Sequence, residues 1–152
     1  MTYCTDADMA SYRPNIMDLG KEDWEDQREE AFSMINRVIE ARWYRKVAQE
    51  MGISFSNILV DTSHIPFDPD KVKTGFLTRL EAFKALELAY MFLKKDSPQS
   101  DGFERNEKTF RDRYNEELEL ILSIGVEYDW DDSGEVEQDE RYIRQPRRLV
   151  RS

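Results

Sequence analysis

The residues of this chain that could carry chemistry are few and lie far apart in the sequence. Its 152 residues include one cysteine, Cys4, and one histidine, His64. A thiol nucleophile needs a base and usually a third, orienting group, and nothing beside either residue supplies one. The sequence also lacks a glycine-rich phosphate loop, a GxSxG or HExxH motif and paired cysteines. We therefore predict no catalytic residue, no cofactor and no enzymatic activity.

One local motif has the spacing of a calcium-binding loop. Residues 129–140 place oxygen donors at the first, third, fifth, ninth and twelfth positions, with Gly134 sixth and Val136 eighth. Pro146 leaves almost no room for an exiting helix, and no second loop is present to pair with this one. The alternative is an acidic turn that redirects the chain. We favour the turn and predict no metal ligand.

Charge changes sign abruptly near the C-terminus. Residues 127–140, here called the acidic run, contain acids and no bases, whereas residues 141–152, here called the arm, contain arginines and no acids. Apolar side chains alternate with the arginines and add nothing to phosphate neutralisation, so they favour a peptide that orders on another protein. Disorder and nucleic-acid contact remain alternatives. The predicted partner-binding residues are Arg141, Tyr142, Ile143, Arg144, Arg147, Arg148, Leu149, Val150 and Arg151.

Composition restricts the classes of partner that the body of the protein can bind. A formal net charge of -10 and a pI near 4.7 argue against a surface that binds nucleic acid or anionic lipid. A single cysteine excludes an intramolecular disulfide and favours a reducing compartment. We expect neither a signal peptide nor a membrane span, because the first residues are acidic and no apolar run is long enough.

Helix-start residues and apolar periodicity predict the first two helices. A hydroxyl and two acids at residues 5–8 are typical of a helix N-terminus, and this helix should end before Pro14. After Leu19-Gly20, a long helix is predicted from about Asp23 to Met51, with Gly52 ending it. Its buried face is predicted to hold Trp24, Ala31, Ile35, Val38 and the stem of Arg42. One ring of the Trp43-Tyr44 pair is expected to face outward as a partner anchor.

The second half of the chain predicts two further helices after a long loop. Prolines and turn-forming residues predict a loop over Ile53–Lys73, with a short hairpin as an alternative for part of it. A broadly apolar helix should run from Phe76 to Lys95, and a narrower amphipathic helix should follow and end at Gly125. The fold class is therefore all-α: a bundle of about four helices over residues 1–126, followed by an acidic turn and an extended arm over residues 127–152.

Several segments together resemble the head-tail connector, or adaptor, proteins of tailed bacteriophages. They are the opening Tyr3-x-Thr5-x-x-Asp8, the long helix after Leu19-Gly20, and the stretches ALELAYMFLKKD, FERNEKTFRDRYNEELELIL, VEYDWDDSGEV and Arg147-Arg148-Leu149-Val150-Arg151. The resemblance covers most of the chain as an order of elements. It implies a small helical subunit that forms a ring, commonly of twelve copies, beneath the portal protein at the capsid vertex.

The resemblance also implies specific partners and a location. The C-terminal arm would reach the portal protein, neighbouring copies would complete the ring, and a downstream tail or head-closure protein would bind its other side. Packaged DNA would pass through without specific binding, no membrane would be involved, and the protein would reside in the virion neck after assembly in the host cytoplasm. Two rival hypotheses are a calcium-binding helical interaction module and a helical regulatory protein that contacts nucleic acid through the arm.

Overall fold

The structure, a computed structural model, describes residues 1–19, 21–48, 66–96, 101–130 and 133–136. Within them the chain is all-α, as predicted, with four α-helices and no strand. Helix α1 spans Asp6–Tyr12, α2 spans Glu25–Ile39, α3 spans Thr78–Asp96 and α4 spans Asp101–Ile124. Short 3-10 helices cover Pro14–Asp18 and Pro69–Lys71.

The chain divides into two compact units. The first comprises residues 1–35 and 74–119, and the second comprises residues 36–73 and 120–152. The predicted division at residue 126 stays a prediction. The residues just after it, Glu127, Tyr128 and Asp129, are buried and belong to the second unit.

The first unit has the predicted helix N-terminus at residues 5–8, which forms a capping box. The Thr5 side chain accepts a hydrogen bond from the Asp8 amide, and the Asp8 carboxylate accepts one from the Thr5 amide at 2.7 Å. These reciprocal bonds satisfy amides that a helix N-terminus leaves without intrahelical partners. Helix α1 ends at Tyr12, before Pro14 as predicted, because proline removes a donor and restricts the residue before it.

Helix α3 supplies most of the core of the first unit. It has buried positions around most of its circumference, as its broad apolar pattern predicts. Alanines at several of these positions let neighbouring side chains approach the helix closely. Among its aromatic neighbours, Phe110 of α4 lies parallel to Tyr90, with ring centroids 6.0 Å apart. Its buried apolar residues are Leu80, Ala82, Phe83, Ala85, Leu86, Ala89, Tyr90 and Leu93.

Helix α2 continues without a break into a π-helical turn over Glu40–Tyr44. The buried positions repeat every four residues, at Ala31, Ile35, Ile39, Trp43 and Val47. In a pure α-helix such a stripe rotates by about 40° per step, since four residues exceed one turn. The wider π turn offsets part of that rotation.

This register corrects two positions of the predicted apolar face of α2. Ile39 is buried while Val38 is only half-buried, and Trp43 is buried while Arg42 is exposed. The α-helical period alone could not predict the π turn that brings Trp43 into the core. The predicted end of this helix near Met51 lies outside the described residues.

Candidate functional site

The predicted arm, residues 141–152, lies outside the described residues, as do His64 and most of the loop predicted over Ile53–Lys73. The segment from the end of α4 into the acidic run, residues 125–130, is described. Gly125 ends α4 with a φ of 102°, a left-handed conformation that glycine adopts without a steric penalty. Its amide donates to the Ile121 carbonyl at 2.7 Å. The predicted helix end at Gly125 is therefore confirmed.

Backbone pairing fixes this segment within the second unit. Val72 and Tyr128 form an isolated antiparallel bridge. The Lys73 amide donates to the Glu127 carbonyl at 2.9 Å, and the Asp129 amide donates to the Lys71 carbonyl at 2.8 Å. The Lys73 ammonium also lies 3.2 Å from the buried Glu127 carboxylate. The chain therefore leaves α4 along a defined path.

Five aromatic rings, with Tyr128 at the centre, form a cluster in the second unit. Its members are Trp43, Tyr44, Phe67, Tyr128 and Trp130. Tyr128 and Trp130 meet edge to face with centroids 4.8 Å apart, and the Tyr44 and Trp130 rings are parallel at 5.6 Å. Such pairs add to the stabilisation from burial. The expectation that Trp43 or Tyr44 faces outward is wrong, because both rings are buried against this cluster.

The two tyrosine hydroxyls of the aromatic cluster are hydrogen-bonded within the fold. The Tyr128 hydroxyl accepts a hydrogen bond from the Asp68 amide at 3.1 Å and is hydrogen-bonded to the Tyr44 hydroxyl. Burial raises the pKa of both phenols above the ordinary tyrosine value. Both phenols are therefore protonated near neutral pH.

Asp129 organises the turn within the acidic run. The buried Asp129 carboxylate accepts hydrogen bonds from the Ser133 amide at 3.1 Å and from the Gly134 amide at 2.8 Å. Gly134 has a φ of 92°, which suits the sharp turn. Asp131, Asp132 and residues 137–140 lie outside the described part. Within that part no group of three acidic, cysteine or histidine side chains could hold a metal ion. The acidic turn stays a prediction, with calcium binding as its alternative.

Cys4 lies in the first unit against the fully buried Glu81 of α3. The Cys4 amide donates to Glu81 Oε2, and the Thr78 hydroxyl donates to the Tyr3 carbonyl at 2.8 Å. Burial, and then the nearby Glu81 charge, raise the pKa of the Cys4 thiol. Thiolate is the reactive form of cysteine, so this environment makes Cys4 a poor nucleophile.

Arg28 completes the attachment of the N-terminal segment. Its guanidinium donates to the Asp6 carboxylate at 3.0 Å, to the Thr2 hydroxyl at 3.1 Å and to the Cys4 carbonyl at 3.3 Å.

Burial raises the pKa of Glu81, and the amides that donate to it oppose that rise. The apolar run around Glu81 in α3 gave the sequence clue to this buried acid, which periodicity alone did not identify.

A network of five charged side chains joins α3 to α4 in the first unit. The buried Glu107 carboxylate accepts from Lys94 and from Arg111, each at 2.8 Å. Arg111 also donates to the buried Glu87 at 3.3 Å, and Lys84 donates to Glu87 at 2.8 Å. The Lys94–Glu107 and Arg111–Glu87 pairs cross between the two helices. The apolar periodicity of the two helices does not predict this network.

An open cleft of about 480 Å³ borders this network. Four bases and two acids line it, so its local charge is positive although the chain as a whole carries -10. Arg105 and Lys108 are exposed at its rim and form no ion pair in the part of the chain that the structure describes. The lining residues are Lys94, Glu104, Arg105, Glu107, Lys108 and Arg111.

Among the described residues, no helix combines the length and apolarity that a bilayer crossing requires. Comparisons with protein families, with curated protein sequences and with solved structures each find no match to this chain.

Proposed function

We propose that this protein is a structural virion component: a head-tail connector subunit that forms a ring under the portal and links the capsid vertex to the tail. The observation that carries the proposal is the charge inversion between the acidic run and the arginine-rich arm, at residues 140 and 141. A basic, partly apolar peptide can attach to a second protein without a large folded interface.

The attachment of the segment before the arm supports this role. Residues 127–129 pair with residues 71–73 and contribute Tyr128 to the aromatic cluster. A peptide that links two proteins transmits a load only if its own end is firmly held. Many such arms presented by one ring would bind at high effective concentration, so each contact could be individually weak.

The environments of the candidate reactive groups favour a structural protein over an enzyme. Cys4 is buried beside an acid, and the Tyr44 and Tyr128 phenols have raised pKa values. Each perturbed group is explained by burial and by hydrogen bonds within the fold. The resemblance to connector proteins supplies the portal, the neighbouring copies and the tail protein as proposed partners.

Electron microscopy of the protein mixed with candidate portal proteins tests the proposal. We expect a ring stacked on the outer end of the portal. A chain lacking residues 141–152 should keep its helical circular dichroism and its melting temperature but lose portal binding. Retained binding by the truncated chain would contradict the assigned role of the arm.

A charge-matched comparison separates specific attachment from simple loss of positive charge. Replacing Arg147, Arg148 and Arg151 by alanine should abolish portal binding. Replacing the exposed Arg37, Arg45 and Lys46 by alanine removes the same charge from elsewhere on the chain and should leave binding intact. Equal loss in both variants would indicate a nonspecific electrostatic contact.

A further inference from the structure

The bases of α4 are confined to its first half. All four lie between residues 105 and 113, among the acids Asp101, Glu104, Glu107 and Asp112, whereas residues 114–124 hold three acids and no base. Which of these bases are paired with acids therefore decides the local charge of this surface.

Some of these bases have a structural role and some do not. Arg111 is paired with buried acids, as is Lys94 of α3, and Arg113 lies over the Phe110 ring at 5.4 Å. Arg105 and Lys108 are exposed beside the cleft and have no acidic partner within the described ranges. The unneutralised positive charge of the cleft is therefore directed outward.

The same chain carries the complementary charge. The acidic run holds eight acids and no base. Glu127 is paired with Lys73, and Asp129 accepts the amides of its own loop. Glu135 is exposed, and further acids follow it in the sequence. Each copy thus has a basic cleft and an acidic segment formed by different residues, and a contact between two different surfaces can build a closed ring.

We propose that the cleft formed by Lys94, Arg105, Lys108 and Arg111 receives the acidic run of a second copy of this chain. This inference rests on the proposed connector function. It specifies which two surfaces would join neighbouring subunits of the ring. Exposed ion pairs are individually weak and are screened by salt. Each contact is therefore weak alone, and closure of the ring multiplies it.

Zero-length carbodiimide crosslinking of a mixture of isotopically heavy and light full-length chains tests this contact. The reagent joins a lysine amine to a carboxylate that touches it, and a heavy-light link must come from two copies. We expect heavy-light links from Lys94 and Lys108 to carboxylates of residues 131–140. The exposed Lys46, outside the cleft, serves as the internal control and should form none to that segment. Links confined to single copies, or no links from the cleft, would overturn the proposal.

A charge exchange adds a second, independent readout. Arg105→Glu with Lys108→Glu should eliminate the heavy-light links from Lys94, whereas Arg37→Glu with Lys46→Glu, an equal change of charge at exposed sites, should preserve them. Adding Glu135→Lys and Glu137→Lys to the cleft variant should restore links, with the lysine and carboxylate ends exchanged. Failure of this restoration would contradict the pairing of these two surfaces.

The two proposals fail in different ways. Loss of the heavy-light links with portal binding retained would remove this subunit contact and leave the connector role standing. Heavy-light links without binding to any portal would leave a self-associating protein and remove the connector role.

Discussion

At the scale of single residues, Glu81 combines complete burial with incomplete hydrogen bonding. Its Oε2 atom accepts the Cys4 amide, while Oε1 is buried without a hydrogen-bond partner in the described part of the structure. A buried acid without full compensation is costly in its charged form. Tyr3, Cys4 and Arg28 lie beside it, so the attachment of the N-terminal segment depends on an acid whose environment disfavours ionisation.

Glu81 should make stability depend on pH in a defined direction. Its pKa is raised above the ordinary 4.5, so the folded chain binds this proton more tightly than the unfolded chain does. Its stabilising contribution is fully present below the ordinary pKa and is lost as pH rises through the folded pKa. In urea unfolding across this range, the free energy of unfolding of the wild type should fall relative to that of Glu81→Gln as pH rises.

The exposed Glu29 provides the control for this titration. The difference in unfolding free energy between wild type and Glu29→Gln should stay nearly constant over the same pH range. If the difference in unfolding free energy between wild type and Glu81→Gln also stays constant, or changes in the opposite direction, burial does not raise the pKa of Glu81.

Tyr128→Phe tests the hydroxyl at the centre of the aromatic cluster. The change keeps the ring but removes the acceptor of the Asp68 amide and the partner of the Tyr44 hydroxyl. We expect the free energy of unfolding to fall by about 1 kcal/mol, the usual effect of losing a partly buried hydrogen bond. Tyr12→Phe, whose hydroxyl is not part of this cluster, should change it by less than about 0.5 kcal/mol. Equal effects of the two changes would rule out a special role for the Tyr128 hydroxyl.

At the scale of elements, the ion network between α3 and α4 is the feature most open to measurement. Arg111 is the only base of this network that donates to both buried acids, Glu87 and Glu107. Arg111→Leu leaves each acid with one lysine, Lys84 or Lys94. Because Arg111 is half-exposed, water replaces part of what is lost, and we expect destabilisation of about 1 kcal/mol in thermal or denaturant unfolding.

Lys108→Leu is the matched control for this measurement, because it removes an exposed base from the same helix without touching either buried acid. With both variants measured at high ionic strength, Lys108→Leu should change the free energy of unfolding by no more than about 0.5 kcal/mol. A loss as large as that of Arg111→Leu would mean that the network itself contributes little beyond general charge.

The helices were predictable where local chemistry determines them. Thr5 and Asp8 predict the start of α1, and Gly125 predicts the end of α4. The apolar side chains around most of the circumference of residues 77–93 predict a core helix. Sequence periodicity failed at Trp43 because a π turn changes the number of residues per turn. It also missed Glu81, Glu87 and Glu107, since their burial depends on partners brought by other segments. The arm residues lie outside the described ranges, and their partner-binding role stays a prediction.

At the scale of the whole molecule, net charge sets what the protein can bind. With -10 overall, the body as a whole should repel phosphate, and the arm carries five arginines and no acid. In gel-shift assays at physiological salt we expect no retention of double-stranded DNA by the full-length chain. Retention that falls steeply with salt and disappears on removal of residues 141–152 would instead favour the nucleic-acid regulatory hypothesis.

The aromatic cluster makes the protein its own fluorescent reporter. Trp43 and Trp130 lie 5.6 Å apart in the second unit, and Trp130 is close in sequence to the acidic run and the arm. The third tryptophan, Trp24, is buried in the first unit against Phe92. Emission from a Trp24→Phe chain would therefore originate wholly from the pair beside Tyr128. Any event that strains or repositions the chain leading into the arm should change the colour and lifetime of that emission, with no attached dye.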